Sequence, residues 1–251
     1  MNPLLQIVVA NIEWLYKVVF EYKWFYFDLW SFVHLWSGGI FFIILTANNV
    51  KKRWFWLLLG LSVFEVVETL FFILVLNLFK PEKSIDIVTD IGVGMLGGYL
   101  MYLFFKWDMG GKHTKQFCIV ISALTIAFIW VGSYGYNYNL PFFNSPFINW
   151  WALCCWAMSG AAIVLVFSIL RRKMNTILAI SVPWIIYAGF LLLFEYIAFH
   201  QLSFKEIGHG STPLIFNAIH GATIMHVFYA VAPALFIGLY MLLYSLFKKY
   251  E

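Results

Sequence analysis

Apolar residues run in long blocks separated by short polar stretches. Leu29 to Ala47, Trp54 to Phe79, Ile85 to Phe105, Phe117 to Tyr136, Trp150 to Leu170, Thr176 to Phe199 and Leu214 to Phe247 are such blocks. Each is close to or longer than the roughly 20 residues that carry a helix across a bilayer. An eighth run, Leu4 to Phe20, contains Asn11, Glu13 and Lys17 and is expected to be a helix that either spans or lies at the interface. Pro183 predicts a kink and Pro233 a bend in their helices. The expected fold is therefore all-α: a polytopic helical membrane protein with seven or eight transmembrane helices. Residues 1–251 form one transmembrane domain on this reading, with a His/Glu/Asp core over 28–105 and additional helices over 117–247.

The basic residues orient the spans. Lys51, Lys52 and Arg53, then Lys106, Lys112 and Lys115, then Arg171, Arg172 and Lys173, and finally Lys248 and Lys249 fall in alternate connections. Loops rich in Lys and Arg stay cytoplasmic, so the connections at 80–84, 137–149 and 200–213 are expected to face outward. Composition agrees with this picture: 63% of residues are hydrophobic and only 11% are charged, against roughly 25% charged in soluble domains. The net charge of +4 comes from short loops between spans, which argues against a nucleic-acid partner and for membrane lipid. Cys118, Cys154 and Cys155 lack metal-type spacing and are expected to be buried free thiols.

Against this apolar background the stretch Ser62 to Gly98 stands out. Glu65 and Glu68 share one helix face at i,i+3. At 1.5 Å per residue they lie roughly 16 and 21 Å from the inner end of their span, at or beyond mid-membrane. Asp86, Asp90, Gly94 and Gly98 repeat every four residues, so this face is acidic toward the outside and small toward the inside. Small faces let helices approach closely, and Gly94 and Gly98 are expected to bring the Asp residues against the Glu-bearing helix. His34, Glu195, His220 and His226 fall in the outer half as well. Ionisable residues at membrane depth mark functional sites by default. The candidate catalytic residues are Glu65, Glu68 and Asp90, and the candidate substrate-binding residues are His34, Asp86, Glu195, His220 and His226. Carboxylates and imidazole together suit Zn²⁺, Mn²⁺ or Fe²⁺, so Glu65, Glu68, Asp86, Asp90 and His34 are the candidate ligands of a divalent metal.

The sequence His34-xxx-Gly38, followed by SVFEVVETLF and DIVTDIGVGMLGG, resembles the VanZ-like and related YjdF-like bacterial membrane proteins over Asp28 to Phe105. The resemblance implies a helical protein of the bacterial inner (plasma) membrane in which the acidic cluster matters. The chain lacks the Gln and Arg that the VanZ-like pattern carries between Glu and Asp, and it has a second half with its own His residues. The antibiotic resistance linked to some of those proteins is therefore not carried over.

Each feature also has a plainer reading. Asp86 can serve as a helix-terminal cap, and the Glu pair can be protonated or hydrogen-bonded residues that only hold helices together. Three functions stay open on the sequence: an enzyme acting on a lipid or lipid-linked substrate at the outer leaflet, a transporter or permease that couples through the carboxylates, and a non-catalytic subunit that meets a membrane-protein partner or forms a homo-oligomer.

Overall fold

In a computed structural model, residues 13–23, 25–73, 84–107, 113–203, 213–215 and 217–248 are described. Contacts divide the chain into two compact units, Met1–Thr114 with Ser245–Glu251, and Lys115–Tyr244. The described residues are all-α apart from one small hairpin and one isolated bridge.

The first unit opens with strands β1 (Val18–Tyr22) and β2 (Phe25–Asp28), paired antiparallel. Glu13–Tyr16 before them is a single 3-10 turn. The described part of the expected Leu4–Phe20 helix is thus a turn and a strand, and Leu4 to Ile12 lies outside the described residues. Val18, Val19 and Phe20 explain the outcome, since β-branched and aromatic residues favour the pleated conformation. Helix α1 (Leu29–Ala47) starts at a reciprocal cap: Asp28 Oδ1 accepts from the Ser31 backbone N–H at 2.9 Å, and the Ser31 side chain accepts from the Asp28 N–H at 3.4 Å. A turn with positive φ at Asn49 and Lys52 reverses the chain into α2 (Arg53–Val67). That helix widens into a π turn over Glu68–Ile73. The rest of the predicted span, Leu74 to Phe79, and most of the following connector lie outside the described residues. Helix α3 (Ser84–Trp107) completes the set.

Glycines decide how α1, α2 and α3 meet. A Cβ on Gly38 would fall on the carbonyl of Gly94, and one on Gly97 would fall on the carbonyl of Leu35. The closest backbone approach is therefore between α1 and α3, rather than between α3 and the Glu-bearing helix as expected. Gly94 and Gly98 instead make room for Leu61 and Leu57 of α2. Those two leucines join Phe42 and Leu45 in a buried core.

The second unit holds α4 (Thr114–Tyr134), from its second residue, α5 (Trp150–Leu170), α6 (Thr176–Tyr196) and α7 (Thr223–Lys248) through Tyr244. Asn149 and Asn175 cap α5 and α6 by accepting from the N–H groups of Ala152 and Leu178. Pro183 and Pro233 sit inside helices that continue past them. The last helix begins at Thr223, nine residues later than the apolar run from Leu214 predicts. Leu214 and Ile219 form an isolated bridge around Ile215 and Asn217, both at positive φ, and Gly221 has φ +156°. Such backbone cannot be helical.

Six helices of the described residues are long and apolar enough to cross a membrane: Leu29–Ala47, Ser84–Lys106, Thr114–Tyr134, Trp150–Leu170, Thr176–Gln201 and Thr223–Lys248. On α6, Ile177, Ile185 and Phe190 are 76%, 71% and 69% exposed. Large apolar side chains left outside in this way fit a lipid surround. The architecture fits an integral membrane protein.

Candidate functional site

The reciprocal cap at Asp28 does more than start α1. Ser31 Oγ donates to Asp90 Oδ1 of α3 at 2.8 Å, so one hydroxyl ties the beginning of α1 to the acidic face of α3. Thr89 adds a second tie by accepting from the Tyr26 N–H of the hairpin at 3.4 Å. Ser31 and Asp90 are both fully buried. His34 lies nearly one turn after Ser31. Its ring is held edge-on by Trp30 and Phe64, with centroids 6.0 and 5.8 Å away.

The imidazole faces carboxylates on both sides. His34 Nδ1 is 3.4 Å from Glu65 Oε1, and His34 Nε2 is 3.5 Å from Asp90 Oδ2. Glu68 closes the arrangement: one ligand atom from each of His34, Glu65 and Glu68 lies within 4.8 Å of the others. His34, Glu65 and Glu68 are 2%, 3% and 0% exposed. The charges of Asp90 and Asp86 also act on Glu65. Among the described residues neither His34 Nδ1 nor either oxygen of Glu65 makes a hydrogen bond. A buried polar group left in that state costs about 1–3 kcal/mol.

Both Glu residues turn inward together because i,i+3 positions share one helix face. Glu65 occupies the last regular turn of α2, and the π turn begins at Glu68. An extra residue per turn shifts the side chains that follow, and such turns recur at functional sites. Asp28, at the outer edge of this network, is buried, and burial raises its pKa above the usual carboxylate value against the opposing pull of its Ser31 and Trp30 N–H bonds.

Of the residues singled out in the sequence, His34, Glu65, Glu68 and Asp90 come together. Asp86 is buried in the first turn of α3 and reaches Glu65 through its charge, but it is outside the close triplet. Asp90 meets the opposite imidazole nitrogen. Glu195, His220 and His226 belong to the second unit. There Tyr229 donates to Glu195 Oε1 at 3.0 Å, and His220 Nε2 pairs with Asn217 Oδ1 at 2.8 Å. Ser31, Asp28 and Thr89 join the site in the structure although the sequence pattern does not single them out. The Asp28-x-x-Ser31 spacing ahead of an apolar run is the available signal, because it is a capping pattern. Nothing local marked Thr89.

No family model, curated protein or solved structure matches this chain.

Proposed function

We propose that the first unit binds a divalent cation between His34 Nδ1, Glu65 and Glu68 and uses it on an ester or phosphate of a lipid or lipid-linked substrate. The observation that carries this reading is the triplet itself: three ligand atoms within 4.8 Å of one another, with His34 Nδ1 and both Glu65 oxygens buried and making no hydrogen bond among the described residues. A cation would satisfy all of them. Asp90 then takes the part of the carboxylate that holds a metal-binding histidine by its other ring nitrogen, and Ser31 holds Asp90. Three protein ligands leave coordination positions open, as in catalytic sites. A cation so placed supplies Lewis acidity and lowers the pKa of water.

In this reading Arg53–Ile73, which is α2 plus its π turn, continues across the membrane as a seventh span. Lys- and Arg-rich connections are cytoplasmic, the site is in the outer half, and the protein belongs to a bacterial inner membrane with a VanZ-like segment from Asp28 to Phe105. The test is metal analysis of the purified protein, wild type against Glu65→Gln, together with release of headgroup from mixed lipid substrates. Stoichiometric metal in the wild type, lost in the variant, supports the centre; a metal-free wild type after growth and purification with Zn²⁺ and Mn²⁺ present sinks it.

One observation favours a second reading. Glu65, His34, Asp90, Ser31 and Asp28 form a continuous buried row of proton-accepting and proton-donating groups, and such rows serve as proton relays in transporters. Proton flux into vesicles holding the protein, abolished in His34→Gln, would decide for it.

A further inference from the structure

The first unit has a groove on a face of α3 that the proposed cation centre does not use. Trp54 at the start of α2 and Gly92, Met95, Leu96, Tyr99 and Tyr102 of α3 line it, and its volume is about 640 Å³. The α3 positions recur at helical spacing and share one face. The face of Asp90, Gly94 and Gly98 is a different one, and it meets α1 and α2. A Cβ on Gly92 would meet nothing within 4 Å, so the groove is open space there. Leu96, Tyr99 and Tyr102 are exposed, so it also opens sideways. Gly92 to Tyr102 covers about 15 Å of helix, half of the roughly 30 Å hydrocarbon core of a bilayer. The groove thus has the depth of one leaflet, on a helix long and apolar enough to span.

The end of the groove selects its occupant. The Trp54 ring meets that of Tyr102 edge-on with centroids 6.0 Å apart, and Tyr99 stacks on Tyr102 at 6.3 Å. Such rings, apolar in body and polar at the tip, sit at headgroup level. Their contact also brings the start of α2 beside the end of α3. Lys51 and Lys52 immediately precede α2, and Lys106 lies about one turn beyond Tyr102. All three are exposed, and among the described residues none pairs with a carboxylate. Arg53 is already committed: its Nη1 donates to Thr46 Oγ1 at 3.2 Å, and its guanidinium lies 6.0 Å from the centre of the Phe42 ring. Lys52 gives α2 no side-chain cap, so the positive end of that helix adds to the field of the lysines. Ammonium groups at the mouth of an apolar groove are complementary to a lipid that is negative at the head and apolar in the tail.

We propose that this groove holds an acyl chain of an anionic phospholipid, with the phosphate among Lys51, Lys52 and Lys106 and the glycerol region against the rings of Trp54 and Tyr102. The chemistry holds whichever side of the membrane this end of the helices faces. The site shares no residue with the cation centre, so either can fail without the other.

The test measures dissociation constants for dioleoylphosphatidylglycerol and dioleoylphosphatidylcholine by native mass spectrometry of the full-length protein in detergent. The wild type is expected to bind the anionic lipid at least about tenfold more tightly. Combined Lys51→Gln, Lys52→Asn and Lys106→Gln should shrink that preference below about threefold; Asn tolerates the positive φ of Lys52. Gly92→Leu fills the groove and should weaken both lipids at least about threefold while the preference stays. Its side chain enters open space, and an unchanged melting temperature in lipid-free detergent checks the fold. Replacing Arg171, Arg172 and Lys173 of the second unit by Gln is the control for general attraction to positive charge, and should leave the preference intact. Equal binding of the two lipids by the wild type overturns the proposal. So does a preference that survives the lysine substitutions, or one that falls equally in the control, or unchanged lipid affinity in Gly92→Leu. A wild type that self-associates, and that Gly92→Leu turns monomeric without altering lipid affinity, assigns the groove to a second copy of the chain instead.

Discussion

Asp90→Asn separates the role of Asp90 as a positioning residue from simple packing. The substitution keeps shape, and its amide oxygen can still accept from Ser31 Oγ, now 2.8 Å from Asp90 Oδ1. What disappears is the negative charge 3.5 Å from His34 Nε2. Loss of such a partner on a metal-binding histidine lowers metal affinity about 10–100-fold, or about 1.4–2.7 kcal/mol. At a free cation concentration of about 100 times the wild-type Kd, binding stabilises the wild type by about 2.7 kcal/mol, and this falls to about 1.4 or about 0.4 kcal/mol in the variant. The metal-free proteins behave differently. The amide oxygen of Asp90→Asn keeps the bond from Ser31 Oγ, so the metal-free variant is expected to unfold no earlier than the metal-free wild type. The assay is thermal unfolding in detergent with and without Zn²⁺ or Mn²⁺, paired with a chelator competition titration for Kd. An equal metal-induced increment in wild type and variant would refute the positioning role. A wild type with no increment at all would refute the cation centre.

Other outcomes test the fold around the sites. Gly38→Ala places a methyl group on the Gly94 carbonyl, and the helices must part; a loss of about 1–3 kcal/mol is expected in detergent unfolding, whereas Gly92→Ala, where a Cβ meets nothing within 4 Å, should be near neutral. Asn149→Ala removes the cap on Ala152 N–H, at 2.8 Å, and a hydrogen bond to Asn144, at 3.0 Å; the expected loss is about 0.5–2 kcal/mol, read from the same melts. His220 gives a pH dependence of stability. Its pKa is lower in the folded protein than its ordinary value of about 6.5, so the folded state binds fewer protons there. Its contribution is complete above about pH 6.5 and is lost as pH falls through the folded pKa. Melts from pH 7.5 down to pH 5 should therefore fall less steeply in His220→Gln than in wild type; parallel profiles would contradict the assignment.

The apolar helices are legible from hydropathy alone, and the reason is the solvent. Lipid offers no hydrogen bonds to a backbone, so a long apolar run there must satisfy its own N–H and C=O groups as a helix. Caps such as Asn149 and Asn175 act over three residues and are equally local. The shared face of Glu65 and Glu68 is local too, since their i,i+3 spacing places them together on any helix. Tertiary structure decided which partners that face meets. Ser31 and Asp90 are 59 residues apart and touch because Gly38 and Gly97 let α1 and α3 come into backbone contact. That crossing, rather than an approach of α3 to α2, brings Asp90 to one side of His34. The apolar run from Leu214 likewise could not reveal the non-helical backbone before Thr223, since positive φ at Ile215 and Asn217 has no hydropathy signature. Periodicity reports what one helix presents; the chemistry arises where several helices present it to each other.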